Sequence, residues 1–589
     1  MSQWCMERVN KHKKFFELLP LLNAQVASLC LRWAGVPRVN NLLRTLPPRI
    51  TKPAAEMFDQ LVEDAFFGIT RFSKGQWSEF NKLRMRLPIK DGGDGLRTMV
   101  DVAAEAHLGG VARAAADGLI SEDMVRRRYK DSGGGGGGNE PGDRTSDDEP
   151  DVEVSRPQKK KRRTNNTHSA QSSSSSRNAS VVADVSVAVH TVSARKTVVD
   201  SVEECIESIR HVIQDDPKAC RKIDEEITDS ASGFWSKFNV NVNGNDAPTP
   251  SSGNRRSLRQ SVAAASSSSS SSAVSVGHNS ESKKKEELEK AVNQLQNRLT
   301  KIREEKLLED LKLKAADKAE AVLLANCGWE GARLMHHIKP MEKALTLTDF
   351  QFRSAMRHKY GLPPMSASDR VWNCVCGKNV GAGHNHACNR VMGPATMQRH
   401  ESVGQTIAQV LREELKLVVI NIPRTYVKDG EDEKYLIPDL IIRDSTNTFR
   451  TAVDVSGVYG EAKTNVLNGS VANKSVNQLR STAAVEKREN RKEVHYRVLE
   501  WVADTKVVPF VFESHGGLGK RAEEFIDLIA QYGSDEVDGI QFAEFKGYLK
   551  RRVAIAIQRG NALLDQRAAS AQARAMGAKI ARGIVAAAA

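Results

Sequence analysis

Aromatic residues are scarce in this sequence: they make up 5% of its 589 residues, and the mean hydropathy is −0.45. A chain of this length has room for two or three domains, but so few aromatic side chains predict that a large part of it does not pack. Long apolar runs are absent as well. The apolar stretch at 15–36 is interrupted by Glu17, Pro20 and Arg32 and has no cleavage-site pattern. We therefore expect a soluble, intracellular protein that does not bind a membrane.

Two further absences exclude classes of function. Eight cysteines in 589 residues, without a signal peptide, argue against a disulfide-stabilised secreted protein and for a reducing compartment. Reverse-transcriptase chemistry would need paired aspartates after an aromatic residue at a tight turn. The two Asp-Asp pairs, at 147–148 and 215–216, both lie outside any strand pattern. The sequence therefore has no polymerase centre of its own.

Positive charge is what the sequence has in excess. The formal net charge is +14 and the pI is about 9.3, a balance that favours polyanionic partners, nucleic acid before membranes. The basic cluster Lys159–Arg163 stands in a low-complexity tract and fits a nuclear import signal or a nucleic-acid-binding patch. We expect DNA as the partner, RNA as a further candidate, and a nuclear location.

Composition divides the chain into segments of different character. Residues 131–280 are dominated by glycine and serine runs and an acidic stretch, which cannot bury enough apolar area to offset chain entropy. We predict a disordered linker there. The other predicted segments are a mostly helical region at 1–130, a long charged helix at 281–325 that is either solvated or a short self-associating coiled coil, a helical segment with a metal-binding loop at 326–400, a globular domain at 401–565 and an Ala-rich tail at 566–589.

Helical and strand patterns alternate in residues 401–565. The helical spacing of TIAQVLREEL precedes LVVINI, which we expect to be a buried strand, and two hairpin strands follow around the turn formers at 444–447. A helix at 475–502, a strand in KVVPFVFES and two closing helices complete the domain. The order helix, three strands, helix, strand predicts an α/β domain with a mixed sheet, within a multidomain α+β chain.

A group of potential metal ligands lies between residues 374 and 400. Four of them would form a tetrahedral set suited to Zn²⁺: Cys374, Cys376, His384 and Cys388. His386 and His400 are competing donors, and the first two cysteines are spaced C-x-C rather than C-x2-C. Four protein ligands leave no open coordination position, so we expect a structural zinc. A metal-free loop is the alternative.

Two aspartates bracket the predicted hairpin. If its turn centres between Thr446 and Asn447, Asp439 and Asp454 lie directly opposite each other. Like charges in cross-strand positions are destabilising, so either the register slips and both are solvated, or a cation lies between them. Two close carboxylates form a hard oxygen site for Mg²⁺ or Mn²⁺, which can polarise a phosphodiester and acidify a bound water.

A basic helix follows the second hairpin strand. It offers Lys487, Arg491 and Lys492, with Tyr496 one turn beyond Lys492. A lysine beside the aspartates would orient an attacking water or stabilise phosphate charge. The alternative is a hairpin with solvated acids next to an ordinary basic surface helix.

Several motifs occur in order along the chain. PRVNNLLRTLPP and LPIKDGGDGLRT are followed by FQFRSAMRHKYGLPP, the Cys/His cluster and QRH, and then by IPDL, AVDVS, VVPFVFESHGGLGK and AIQRGNALL. Together they resemble the part of non-LTR retrotransposon polyproteins that follows the reverse-transcriptase core, ending in a restriction-like endonuclease. The resemblance covers roughly residues 15–130 and 326–565. It includes a thumb-like helical region but no polymerase palm.

This resemblance implies a PD-(D/E)xK-type nuclease fold, whose core has the order of elements described above. It also implies that the Cys/His loop binds nucleic acid as a zinc knuckle does. Asp439 and Asp454 would hold the catalytic metal, and Arg399 and His400 would handle phosphate or substrate. In such elements the nuclease nicks target DNA, and the exposed 3′ end primes reverse transcription.

The resemblance leaves the catalytic lysine open. Ser456 occupies the position two after Asp454, where the short D-x-K form would have its lysine, so the following helix is expected to supply Lys492 or Lys487. Glu513, at the end of the last strand, is expected to face the same site. The leading hypothesis is a metal-dependent DNA endonuclease, and the alternative is an inactive nucleic-acid-binding remnant of the same kind of polyprotein.

Overall fold

The structure is a computed structural model of the chain. It describes residues 1–116, 277–315, 317–363, 388–421, 425–429, 432–446, 449–466, 483–503 and 506–588, together with positions 205, 209, 221, 222, 376 and 386. Most of the predicted linker at 131–280, including the basic cluster Lys159–Arg163, lies outside the described residues. The described part is helical, with a small mixed four-stranded sheet in its C-terminal third.

The N-terminal region is helical, as predicted. Its α-helices are α1 (Ser2–Asn10), α2 (Lys13–Leu18), α3 (Ala24–Cys30), α4 (Asn40–Thr45), α5 (Pro48–Thr70), α6 (Glu79–Arg86) and α7 (Met99–Ala116). Local sequence explains several boundaries. The Asn23 side chain accepts hydrogen bonds from the backbone N–H groups of Gln25 and Val26 and so caps α3, and α5 begins at Pro48, where a missing N–H costs nothing.

The core of this region includes residues far away in the sequence. Phe16, Phe58 and Phe66 pack with Phe352 and Tyr360, which belong to the segment preceding the Cys/His loop. That segment forms α9 (Lys318–Cys327), α10 (Glu330–His337) and α11 (Asp349–Lys359). Residues 335–362 therefore share one core with the N-terminal helices, a long-range association that periodicity alone does not predict.

The long charged helix is present as α8 (Gly277–Lys314), but the expectation that it is solvated is wrong. Leu295, Leu299 and Leu311 are buried, because α8 packs against α7 and α6 within the same chain. The contact also contains paired polar groups. Thr300 Oγ1 donates a hydrogen bond of 3.0 Å to Glu105, and Arg303 lies 2.8 Å from the same buried carboxylate. Self-association through these leucines would require α8 to leave α7.

The C-terminal region contains the sheet. Its strands are β1 (Val418–Asn421), β2 (Thr425–Asp429), β3 (Asp432–Leu436), β4 (Leu440–Arg443), β5 (Arg450–Val458) and β6 (Val507–Glu513). The main sheet has the order β1-β4-β5-β6, in which β4 is antiparallel to both β1 and β5, while β5 and β6 are parallel. This confirms the predicted mixed sheet. The parallel connection runs through α13 (Lys463–Val466) and α14 (Ala483–Ala503).

Two features of the sheet differ from the sequence expectations. The strand β1 is an edge strand: Val418 and Ile420 are about 40% exposed, so it is not the buried strand that its apolar sequence suggests. In addition, the chain segment that connects β1 to β4 forms a separate two-stranded antiparallel hairpin, β2–β3, which is not part of the main sheet. The dipeptide Asp429-Gly430 between two β-prone runs was a signal for that hairpin.

Helices cover the two faces of the main sheet. On one face, α12 (Asn389–Glu414), α15 (Lys520–Glu536) and α16 (Phe542–Ala588) bury residues such as Val453, Val455 and Phe510. On the other face, α14 places Tyr496 against Ala452. The helix α16 contributes Ile555 to the N-terminal core and Val553 to the sheet core, so it connects the two. No helix in the described part of the chain has both the length and the apolar character that crossing a bilayer requires.

Candidate functional site

The hairpin formed by β4 and β5 has the register predicted from the sequence. Leu440 pairs with Val453 and Arg443 with Arg450, so continuing this register by one residue places Asp439 opposite Asp454. At that end the backbone pairing changes: the N–H of Asp439 donates to the carbonyl of Val453, at 2.9 Å. Asp439 therefore lies just before the start of β4, and Asp454 lies in the middle of the neighbouring strand β5.

The carboxylate of Asp439 is held by two donors. Its Oδ2 accepts a hydrogen bond of 2.6 Å from the backbone N–H of Val455, and His400 Nε2 lies 3.0 Å from the same oxygen. His400 is on α12, one turn before the residues that pack on the sheet. About a quarter of each of these two side chains, Asp439 and His400, is exposed to solvent. This carboxylate is thus fixed in position yet accessible.

The carboxylate of Asp454 is contacted from α14 through both oxygens. Tyr496 donates its hydroxyl to Oδ1 at 2.6 Å, and Lys492 Nζ lies 2.8 Å from Oδ2. Lys492 and Tyr496 are four residues apart, so one helix face presents both groups to the strand. The side chain of Asp454 is 5% exposed and that of Lys492 is 19% exposed. Asp454 is therefore the buried side of the site, and Lys492 lies at its edge.

The environment changes the pKa of the groups that contact the aspartates. Burial alone lowers the pKa of His400, but the hydrogen bond and negative charge of Asp439 outweigh it, and the pKa is raised above 6.5. Burial, together with the hydrogen bond to Asp454, raises the pKa of Tyr496 well above its usual value of 10. The site therefore favours a protonated His400 and a neutral Tyr496 as donors to the two carboxylates.

Three residues expected at this site lie elsewhere. Lys487 is exposed and precedes Lys492 by more than one turn of α14, so Lys492 is the lysine at Asp454. Arg399 is 2% exposed and bonded to Asn561 at 2.9 Å, a buried position that does not favour contact with a phosphate. Glu513 pairs in register with Val458, about 13 Å along the sheet from the level of Asp454, since a strand rises ~3.3 Å per residue.

The predicted zinc ligands are only partly described. Cys374 and His384 lie outside the described residues. Cys376 packs against the small cluster that contains Cys388, so two of the four predicted ligands lie close together. His386, a competing donor in the sequence, instead stacks on the ring of His358 with 4.2 Å between centroids. The zinc site remains a prediction.

A second group of titratable residues combines Glu513, which was expected at the aspartates, with two residues that the sequence did not indicate, Glu461 and His515. Glu461 follows β5, and Glu513 and His515 follow one another at the end of β6; one ligand atom from each lies within 4.8 Å of the others. All three are buried. Glu461 carried no motif, and His515 stood in SHGGLGK, a stretch that the structure shows as the turn into α15. Their proximity depends on the parallel pairing of β5 with β6.

The donor chemistry of the hairpin site fits a hard divalent cation. Asp439 and Asp454 offer carboxylate oxygens, which Mg²⁺ and Mn²⁺ prefer. The Oδ2 atom of Asp454 is buried and makes no hydrogen bond to any described residue, although the Lys492 ammonium lies near it. Among the described residues, His400 and the two aspartates do not form a group of three donors within 4.8 Å. His400 therefore does not complete a three-donor set with the two aspartates.

Comparison with known proteins adds no family to this description. No protein-family model matches the chain, and no curated protein matches it. The resemblance to retroelement polyproteins remains a prediction from the motifs, and the functional conclusions rest on the site itself.

Proposed function

We propose that this protein is a metal-dependent DNA endonuclease of non-LTR retroelement type, and that residues 401–565 are its restriction-like nuclease domain. The observation that carries the proposal is the contact of 2.8 Å between Lys492 and Asp454 on the central strand β5, with Asp439 just before the start of the neighbouring strand β4. Such a domain would nick target DNA to provide a 3′ end for reverse transcription by a polymerase centre that this chain lacks. Support also comes from the order of elements: apart from the β2–β3 hairpin and the short α13, the chain runs α12, β1, β4, β5, α14, β6, the order that the resemblance implies for a PD-(D/E)xK core.

Each side chain of the site has a task in this proposal. Asp439 and Asp454 would hold Mg²⁺, which, when bound, acidifies a water and polarises the scissile phosphate. The Lys492 ammonium would stabilise the negative charge that develops on the phosphate. His400 and Tyr496 contact the two aspartates rather than the phosphate in this proposal. They hold the two carboxylates through bonds of 3.0 and 2.6 Å and so act as positioning residues.

Accessibility supports a catalytic rather than a structural use of this site. The side chains of Asp439, His400 and Lys492 are each between 19% and 25% exposed, on the side where β4 begins. The formal net charge of +14 favours binding of a polyanion near such an opening. The Cys/His loop at 374–388 would contribute to nucleic-acid binding as a zinc-stabilised element.

The test is nicking of supercoiled plasmid by the full-length protein with Mg²⁺ or Mn²⁺. We expect conversion to open circles that requires the ion and falls by roughly 100-fold or more in Asp454→Asn and Asp439→Asn, the scale on which loss of transition-state stabilisation is measured. Lys492→Ala should lose activity, whereas Lys487→Ala should retain it, because only Lys492 reaches Asp454. Lys520→Ala, an exposed lysine on α15, is the matched control. Nicking that survives both aspartate changes would place the activity elsewhere.

A second candidate is a nucleic-acid-binding protein that does not cleave. It is favoured by the contacts already made at the aspartates, since Lys492 and Tyr496 together engage both oxygens of Asp454. This alternative predicts DNA or RNA binding that weakens steeply with salt. It also predicts intact plasmid in Mg²⁺ and in Mn²⁺, with unchanged binding in Asp454→Asn.

A further inference from the structure

A buried group of three acidic and histidine residues lies apart from the proposed nuclease site. Glu461 lies in the loop after β5, and Glu513 and His515 lie at the end of β6. Their side chains are between 0% and 5% exposed. Two carboxylates in a buried position require positive charge close by, because an uncompensated buried charge is strongly destabilising.

Several polar atoms in and next to this group have no hydrogen-bond partner among the described residues, unlike most buried polar atoms. Glu461 Oε2, His515 Nε2 and Asn326 Oδ1 are buried and make no hydrogen bond to any described residue. His515 Nε2 lies 3.1 Å from Glu461 Oε1, within ion-pair distance, although the ring N–H is not aligned on that oxygen. Native proteins rarely leave several adjacent buried polar atoms without partners unless an ion or water binds there.

The distances agree with those between ligands of one metal ion. Two donor atoms that each bind a metal at about 2.1 Å, at a right angle, lie about 3 Å from each other. The 3.1 Å separation of His515 Nε2 from Glu461 Oε1 matches this, and the donor atom of Glu513 lies within the same 4.8 Å. The three donor atoms therefore lie within the span of one ion's coordination shell.

Neighbouring contacts hold the three ligands in place. Glu513 accepts hydrogen bonds from the hydroxyl of Ser514 and from the backbone N–H of His515, both at 2.6 Å. Asn326, on α9, donates its amide to Glu461 Oε1 at 2.7 Å. Cys327 Sγ lies 3.7 Å from His515 Nδ1. Because this contact engages Nδ1, the ring is oriented with its other nitrogen, Nε2, towards the carboxylates.

We propose that Glu461, Glu513 and His515 form a structural binding site for one divalent transition-metal ion, Zn²⁺ or Mn²⁺. Two carboxylate oxygens and one imidazole nitrogen are donors that both ions accept, and the site has no thiolate among its ligands. The ion would join the ends of β5 and β6 and hold them next to α9. The burial of all three ligands assigns it to structure and separates it from the more exposed aspartate pair.

The test measures metal bound per full-length chain after chelator treatment and dialysis against Zn²⁺, and separately against Mn²⁺. The background protein carries Asp439→Asn, Asp454→Asn, Cys376→Ser and Cys388→Ser, which removes the other two candidate sites. We expect this background to bind one ion per chain and to lose it in Glu461→Gln and in Glu513→Gln. Glu489→Gln, which changes a buried carboxylate outside the group, is the matched control and should keep the ion.

Two outcomes overturn the proposal: a background protein that binds neither ion, or full binding after both glutamate changes. Either would mean that His515 and the neighbouring Arg399 compensate the two carboxylates without an ion. If the glutamate variants fail to fold by circular dichroism, X-ray absorption at the zinc edge of the background protein decides. Oxygen and nitrogen ligands without sulfur support the site, whereas a sulfur shell places the ion elsewhere.

Discussion

Two acidic groups on the same sheet differ mainly in their access to solvent. Asp439 and Asp454 lie where β4 begins, and the side chains around them are up to 25% exposed. Glu461, Glu513 and His515 lie at the far end of β5 and β6 and are at most 5% exposed at the side chain. The first group is open to solvent, whereas the second is closed to it.

The two groups also differ in how their charge is compensated. At the hairpin, Lys492 and His400 each contact one aspartate, so every acid has its own basic partner. In the buried group the His515 imidazole faces two carboxylates, and the buried Arg399 guanidinium also interacts with Glu513. Burial lowers the pKa of His515, but Cys327, Glu513 and Glu461 outweigh it, and the pKa is raised well above 6.5. The same sheet thus combines an accessible site, where each acid has its own basic partner, with an inaccessible one, where two acids share their basic neighbours.

The largest expected effect is a loss of stability when the buried group of Glu461, Glu513 and His515 is disrupted. His515→Ala would remove the imidazole that pairs with Glu461, and we expect a loss of about 3–5 kcal/mol in the free energy of unfolding, the usual result of breaking a buried charge pair. Urea unfolding followed by circular dichroism measures it. His337→Ala, an exposed histidine on α10, should change stability by less than ~0.5 kcal/mol. A loss as small as that control would mean that the buried group contributes little.

The second-largest expected effect tests how Tyr496 holds the carboxylate of Asp454 in position. Tyr496→Phe removes the 2.6 Å hydrogen bond to Asp454 without changing the ring, and a bond to a charged group contributes about 1.5–3 kcal/mol. We expect a loss of that size in urea unfolding, with reduced nicking at unchanged DNA affinity. Tyr532→Phe, whose partly buried ring packs on Phe449, is the control. Equal effects of the two changes would contradict a positioning role for Tyr496.

A glycine substitution tests how closely the turn that carries His515 packs against α10. The turn that carries His515 lies so close to α10 that a Cβ on Gly331 would collide with the backbone carbonyl of Gly516. Gly331→Ala should therefore destabilise the protein by about 1–3 kcal/mol, as overpacking does. Gly577→Ala, where a Cβ meets nothing within 4 Å, should be neutral or slightly stabilising. Thermal unfolding of the two variants side by side gives the comparison, and equal midpoints would refute the close approach.

The smallest expected effects are changes of stability with pH, and these changes have opposite signs for different histidines. The pKa of His400 is raised above 6.5, so its contribution to stability is fully present below about pH 6.5 and is lost as the pH rises through the folded value. The pKa values of His358 and His386 are lowered by burial first and by nearby positive groups second. The unfolded chain then binds more protons below pH 6.5, so these two residues reduce stability as the pH falls.

Imidazole resonances followed by NMR against pH measure each titration. We expect His400 to titrate above 6.5 and Asp439→Asn to lower its pKa, because burial then acts without the compensating carboxylate. His358 and His386 should show no titration near 6.5. A His400 pKa that is unchanged in Asp439→Asn would contradict the contact between the two side chains.

Local patterns allowed much of the C-terminal sheet to be predicted. The turn formers around Thr446 and the two β-prone runs placed the hairpin in its observed register, and the order of elements was right for the main sheet, although the β2–β3 hairpin was missed. The basic helix was also placed correctly, although the sequence could not choose between Lys492 and Lys487. These successes share a reason: hairpin register and helix periodicity depend on residues close in sequence.

The predictions that failed depended on residues distant in sequence. Strand β1 was expected to be buried because it is apolar, but it lies at the edge of the sheet. The charged helix α8 was expected in solvent, yet its leucines pack on α7, nearly 200 residues earlier in the chain. Glu513 was expected near the aspartates, but the parallel register of β5 and β6 places it beside Val458.

The sequence by itself determined the helical character of the N-terminal region, the hairpin and the facing positions of Asp439 and Asp454, because these follow from turn residues and side-chain periodicity. Only the tertiary structure decided that Lys492 reaches Asp454, that Arg399 is buried, and that Glu461 meets His515. Those contacts join separate elements, and their partners are selected by the packing of helices on a sheet rather than by any local pattern.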